Sequence, residues 1–237
     1  PSNSSAASDV YKRQIEENVQ KVRDEVAKYS RQVTLIAASK TQTKDTIDAF
    51  HAIAPDFLFG ENRVQELVEK YDERYVWHLI GQLQTNKVKY IIDKVELIHS
   101  LDRAELAKEI EKQASKHGKI QSCLVEINMG AEITKGGVAP EIAIDFIESM
   151  AEYPHIKVEG VMSVLPNIDD EVALGGMFDG LERIYEDAKC LKSCGKDIKY
   201  LSAGMSKDYK MALEHGSNML RLGRLLFGER VYAPKEI

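Results

Sequence analysis

Between residues 9 and 30, Ile15, Val19, Val22 and Val26 recur at three- and four-residue steps, which predicts an amphipathic helix ahead of the first strand. VTLIAAS (33–39) is instead an unbroken apolar run of the buried-strand type, followed by a helical stripe of Ile47, Phe50, Ile53 and Ala54. The alternation then repeats. FLFG (57–60) leads to a helix with Val64, Leu67, Val68 and Tyr71, and VWHLIG (76–81) leads to one with Val88, Ile91 and Ile92. VELIHS (95–100) precedes a long helix that Gly118 should end, and SCLVEIN (122–128) precedes one opening at Pro140 with Ile142, Phe146, Ile147 and Met150. VEGVMSV (158–164), IKYLS (198–202) and NMLRLG (218–223) complete the strands, with a helix over Leu174, Phe178, Leu181, Ile184 and Ala188 and another over 207–215. Successive parallel strands need crossover helices, so this alternation predicts a single closed (β/α)8 TIM-type barrel with an extra N-terminal helix. A doubly wound open sheet is the structural runner-up.

Composition narrows the class. A chain of 237 residues, 43% hydrophobic and 30% charged, suits one large domain with a buried core. The net charge of −6 gives no general attraction to nucleic acid or to an anionic membrane, so any anion must be held locally. The longest stretch free of charged side chains, 75–86, is shorter than the roughly 20 residues of a spanning helix. A soluble, cytoplasmic and monomeric protein is expected. Cys123, Cys190 and Cys194 are sparse and poorly spaced for zinc, so no metal is expected and the thiols read as idle in a reducing compartment. Residues 1–8 (PSNSSAAS) lack an initiator Met and the apolar core of a signal peptide. They are expected to be a non-native remnant, leaving 9–237 as the barrel.

In such a barrel the working face is the C-terminal end of the strands. Lys40, in AASKT, follows strand one, where packing and low-dielectric surroundings favour a Schiff-base amine. An ordinary solvent-facing lysine is the competing reading. The loops after strands seven and eight lie in LSAGMSKDYKMALEHGSNMLRLGRLLFG (201–228), where barrels frequently seat a phosphate. Gly204 permits a tight turn, Ser206 reads as an N-cap with Asp208 in the first turn pointing away from the anion, and Gly223 allows close backbone approach. A cap and two turn glycines without any ligand would read the same way. A lysine and a phosphate cup together suit a phosphorylated aldehyde held as an imine, and pyridoxal 5′-phosphate (PLP) fits. Arg221, from strand eight, would face the pyridine nitrogen and, as a donor that stays protonated, weaken the ring as an electron sink. A phosphate contact or a salt bridge is its alternative use.

The motifs AASKT, FGENRVQE, WHLIGQLQTNK, EINMGAEITKGG, EGVMSV, LSAGMS and RLGRLLFG together resemble the pyridoxal phosphate homeostasis protein family, built on the fold of the alanine racemase N-terminal barrel. The resemblance covers nearly the whole chain from about Ile15. It implies that Lys40 is the aldimine lysine, that Arg221 faces the pyridine nitrogen, and that Ser206 with the backbone N–H groups of Gly223 and Arg224 holds the phosphate. Arg224 departs from the small hydroxyl residue often found there, leaving only its backbone donor. Asn62, His78, Met162 and Ser163 would line the cofactor, although His78 and Met162 also suit core packing. Lys135, in TKGG, would be a secondary amine at the mouth or a solvated loop lysine. The racemases sharing this barrel use a second, β-rich domain that supplies a tyrosine opposite the lysine, and the residues after Gly228 are too few to supply it. The resemblance therefore implies a PLP carrier that buffers the cofactor and delivers it to apo-enzymes without turnover of its own. A PLP-dependent amino-acid racemase and a Schiff-base aldolase acting on a sugar phosphate are the alternatives.

Overall fold

Val, Ile, Phe and Trp favour pleated, half-buried backbone, and each apolar run is a parallel strand in the computed structural model, which describes residues 2–130 and 136–228. In order around a closed barrel these are β1 (Thr34–Ala38), β2 (Leu58–Glu61), β3 (Trp77–Leu79), β4 (Leu97–Leu101), β5 (Gln121–Glu126), β6 (Ile156–Met162), β7 (Tyr200–Ser202) and β8 (Met219–Leu222). The (β/α)8 barrel expected from the alternation is the observed architecture. Its closure is β8 against β1, with Ile36 beside Arg221 on one side and beside Leu58 on the other. Because side chains alternate across a strand, Ile36, Ala38, Ile80, Leu97, Leu124, Met162 and Met219 pack with one another inside the barrel. Ala37, Phe59, Trp77, Ile98, Val125 and Leu222 belong to a second, larger core that includes the apolar helix faces.

The helices are α1 (Ser2–Val26), α2 (Lys44–Ile53), α3 (Val64–Lys70), α4 (Ala104–Lys116), α5 (Ala143–Ser149), α6 (Glu171–Lys189), α7 (Tyr209–Glu214) and α8 (Arg224–Phe227). Ile15, Val19 and Val22 of α1 are buried, and Asn18 Nδ2 donates to the Leu226 carbonyl at 3.2 Å, tying α1 to α8. Phe50 of α2 sits 4.9 Å from the Phe227 ring and 5.5 Å from that of Phe57. Truncating such a buried ring to alanine costs about 3–5 kcal/mol.

Four boundaries depart from the sequence reading. α1 begins at Ser2, so the backbone of the supposed remnant joins the helix. After β3 the crossover is a 3₁₀ helix over Thr85–Tyr90, because apolar spacing at three and four residues suits either helix type. Pro140 opens a 3₁₀ turn before α5. The 207–215 helix shortens to α7, with Asp208 and not Ser206 at its N-cap. Gly118, at φ +60°, ends α4 as expected. Among the described residues no helix is long and apolar enough to cross a membrane.

Candidate functional site

The C-terminal ends of β1, β2 and β8 and the loops after β6 and β7 enclose a cavity of about 660 Å³, whose wall includes Lys40, Asn62, Ser206, Asp208, Arg221, Gly223 and Arg224. Lys40 is half-buried, following Ser39, whose N–H donates to the Gly60 carbonyl and so extends the β1–β2 pairing past Ala38. Gly204 takes φ +98°, and a Cβ there would lie 2.6 Å from that of Ala212, so the turn after β7 requires glycine. Its carbonyl accepts from the Arg221 N–H at 3.0 Å.

Ser206 does not cap α7. Asp208 takes that position, its Oδ1 accepting from the Met205 N–H at 2.6 Å. The Ser206 hydroxyl oxygen instead accepts from the backbone N–H groups of Leu225 at 3.1 Å and Gly223 at 3.4 Å. Backbone donors at the start of α8 and a serine hydroxyl thus meet on one wall, a donor set suited to a phosphate. Asn62 Oδ1 is buried there without a hydrogen-bond partner, an acceptor left available to a polar ligand.

Arg221 crosses the barrel interior, 4% exposed. One guanidinium nitrogen donates to the Ser202 carbonyl at 2.9 Å and to Ser202 Oγ at 2.6 Å, and the other donates to the Ser163 carbonyl at 2.8 Å. These bonds hold the guanidinium plane and leave further N–H groups of the fork for the cavity. Burial lowers its pKa to about 10, with Glu126 and Asp208 opposing the shift, so it remains a cation at neutral pH. Glu126, closing β5, accepts from Gln82 Nε2 at 2.5 Å and is pushed up to about 7, first by burial and then by the charge of Asp102.

His78, Met162 and Ser163 do not reach the cavity wall. Met162 is part of the apolar interior of the barrel. Ser163 Oγ donates to the Ile127 carbonyl at 2.7 Å while its own carbonyl holds Arg221. His78 Nδ1 lies 3.0 Å from His99 Nε2, and His99 Nδ1 lies 3.3 Å from Ser202 Oγ. Arginine only donates, so the Ser202 proton points to His99, and His99 in turn donates to His78. Burial keeps both rings neutral, His78 at about 3 and His99 well below the usual histidine range. These residues form a polar layer behind Arg221. Lys135 lies outside the described residues.

Sequence reasoning missed His99, Ser202, Gln82 and Glu126, together with a charged group of Glu61, Glu66 and Lys70 behind the Lys40 turn. The signals existed: inward alternation places His99 and Ser202 inside the barrel, and Glu66 and Lys70 are four residues apart on one helix.

The family described as the alanine racemase N-terminal domain matches residues 10–231. A pyridoxal phosphate homeostasis protein of Aquifex aeolicus is 40% identical over 220 residues, covering 91% of this chain and 95% of the relative. The structure of PipY from Synechococcus elongatus PCC7942 with PLP bound superposes with a TM-score of 0.79 at 26% identity, covering 90% of this chain and all of that one. An alanine racemase of Clostridium difficile shares the fold at 16% identity, with a TM-score of 0.70; the match covers 94% of this chain but 57% of the racemase. The chain belongs to the alanine racemase N-terminal domain family and, within it, to the pyridoxal phosphate homeostasis proteins.

Proposed function

We propose that this chain holds PLP covalently at Lys40 in the barrel mouth and buffers it for delivery to apo-enzymes, without turnover of its own. The observation that carries the reading is one cavity wall bearing Lys40, Asn62, Ser206, Arg221, Gly223 and Arg224 together. The relative solved with PLP bound and the homeostasis proteins among its relatives support it. When bound, PLP supplies an aldehyde whose carbon forms a C=N bond with an amine while its oxygen leaves as water.

Lys40 provides that amine. The backbone N–H groups of Gly223 and Arg224 and the Ser206 hydroxyl hold the phosphate, for which Ser206 gives up the Gly223 N–H that it accepts from in this structure. Arg221, locked by Ser163 and Ser202, donates to the ring nitrogen and keeps it unprotonated. Asn62 adds a polar contact from the wall, and His78, Met162 and Ser163 lie behind it in the barrel interior.

The purified protein with added PLP should show an imine absorption band that Lys40→Ala abolishes. Borohydride reduction and peptide mapping should place the label on Lys40. Label on another lysine, with Lys40 unmodified, overturns the assignment.

A further inference from the structure

The turn that carries Lys40 is backed by a charged cluster outside the barrel, and the binding chemistry proposed above uses none of it. Glu61, the last residue of β2, is fully buried, and its Oε1 accepts from Lys70 Nζ at 2.7 Å and from Ser39 Oγ at 2.8 Å. Lys70, the last residue of α3, also donates to the Ser39 carbonyl at 3.0 Å and to Glu66 Oε2 at 3.0 Å. That same Glu66 oxygen accepts from the Thr41 N–H at 3.0 Å. The residues on both sides of Lys40 are therefore tied by their backbone to one lysine–glutamate pair.

Thr41 sits at φ +68°, and it is the only non-glycine residue with positive φ among the described residues. A β-branched side chain avoids that region, so the conformation persists only where surrounding bonds impose it. The Glu66 carboxylate on the Thr41 N–H, together with the Gln42 N–H donating to the Ser39 carbonyl at 2.9 Å, imposes it here. A buried ion pair stabilises a fold little better than apolar packing of the same volume. What this cluster supplies that apolar residues would not is a fixed backbone on either side of Lys40.

We propose that Glu66 and Lys70, anchored on Glu61, are positioning residues that present the Lys40 amine to an aldehyde held in the cavity. The proposal rests on the reading of Lys40 as the PLP-bearing lysine. It predicts that disturbing the cluster weakens covalent capture and leaves non-covalent docking alone.

Two ligands separate those effects: PLP, and its alcohol analogue pyridoxine 5′-phosphate, which keeps the ring and phosphate but cannot form an imine. Glu66→Ala is the first variant, because it frees the Thr41 N–H and leaves the Glu61–Lys70 pair in place. Its affinity for PLP should fall roughly tenfold, the loss expected from one charge-assisted hydrogen bond. Its affinity for the alcohol should stay within about twofold of wild type. Lys70→Met should show the same split, more strongly, and Glu66→Ala alone decides the matter if Lys70→Met fails to fold. Equal losses for both ligands, or no loss for either, overturn the positioning role while the wild type still carries its label on Lys40. A wild type that forms no imine at Lys40 removes the binding-site reading itself, and this proposal with it.

Discussion

Ser206 holds with its hydroxyl oxygen the Gly223 N–H, one of the backbone donors that a phosphate would need, together with the Leu225 N–H, which sets how much its loss can matter. Ser206→Ala deletes one hydroxyl contact but also releases the Gly223 and Leu225 N–H groups. The net change in PLP affinity should then lie within about 0.5–1.5 kcal/mol, up to roughly tenfold. Gly223 behaves differently. A Cβ built there meets the Ala38 carbonyl oxygen at 3.5 Å, an ordinary contact, so Gly223→Ala should fold as wild type does, and any loss of affinity it shows reports the methyl's intrusion on the anion. Gly223→Asp places a carboxylate on the same wall and should lower affinity far more, by like-charge repulsion. Equilibrium titrations of the three variants with PLP test the order, and equal, negligible effects would move the phosphate elsewhere. The serine's place in the sequence put it at the barrel mouth, on the cavity wall, but did not give its bonding geometry. Ser-x-Asp offers two side chains able to cap α7, and only the structure shows Asp208 there, with Ser206 turned to α8.

Among the elements, β3, β4 and β5 bring groups of opposite pH response into the barrel interior. His78 and His99 are buried as neutral rings, their pKa values depressed by burial, whereas an unfolded histidine titrates at 6.5. The unfolded chain therefore takes up protons first as pH falls, and the stability present above about 6.5 is lost toward about 3. Glu126 has the opposite sign. Raised from 4.5 to about 7, it contributes fully below 4.5 and loses that contribution as pH rises through 7. Glu126→Gln should thus raise the urea midpoint of the ligand-free protein at pH 8, by up to about 3 kcal/mol in stability, and give no gain at pH 4. The same offset at both pH values would show the carboxylate titrating in the ordinary range. The strands were legible because parallel strands covered on both faces are near-continuous apolar runs, as in the TLIAA of Thr34–Ala38. The 3₁₀ crossover at Thr85–Tyr90 was not, since Val88 and Ile91 are spaced as well for one helix type as for the other. Nor could the sequence order the layers inside the barrel. His78 has the period of an inward residue, but its depth depends on where β3 sits against β4, with His78 beside Leu97.

For the whole molecule the question is whether a barrel that shares its fold with racemases turns over amino acids. Racemisation removes an α-proton on one face and returns it on the other, so it needs an acid/base group opposite the lysine. Among the described residues, the cavity wall contains no tyrosine, histidine, cysteine or glutamate. Its carboxylate, Asp208, already accepts from the Met205 N–H, and Lys207 donates to Asn167 at 3.1 Å from an exposed position. With Arg221 at the ring nitrogen, as proposed, an electronic obstacle is added, because a guanidinium clamped by Ser163 and Ser202 cannot hand a proton to that nitrogen and remain the charge that burial still permits. The holo-protein should therefore take up PLP, exchange it with amines and release it to an apo-enzyme while racemising nothing. Incubation with L-alanine and other L-amino acids in deuterated water, followed by measurement of α-proton exchange and chirality, tests this. Exchange well above that of free PLP, and lost in Lys40→Ala, would make the protein an enzyme and require a proton acceptor contributed from beyond the described wall.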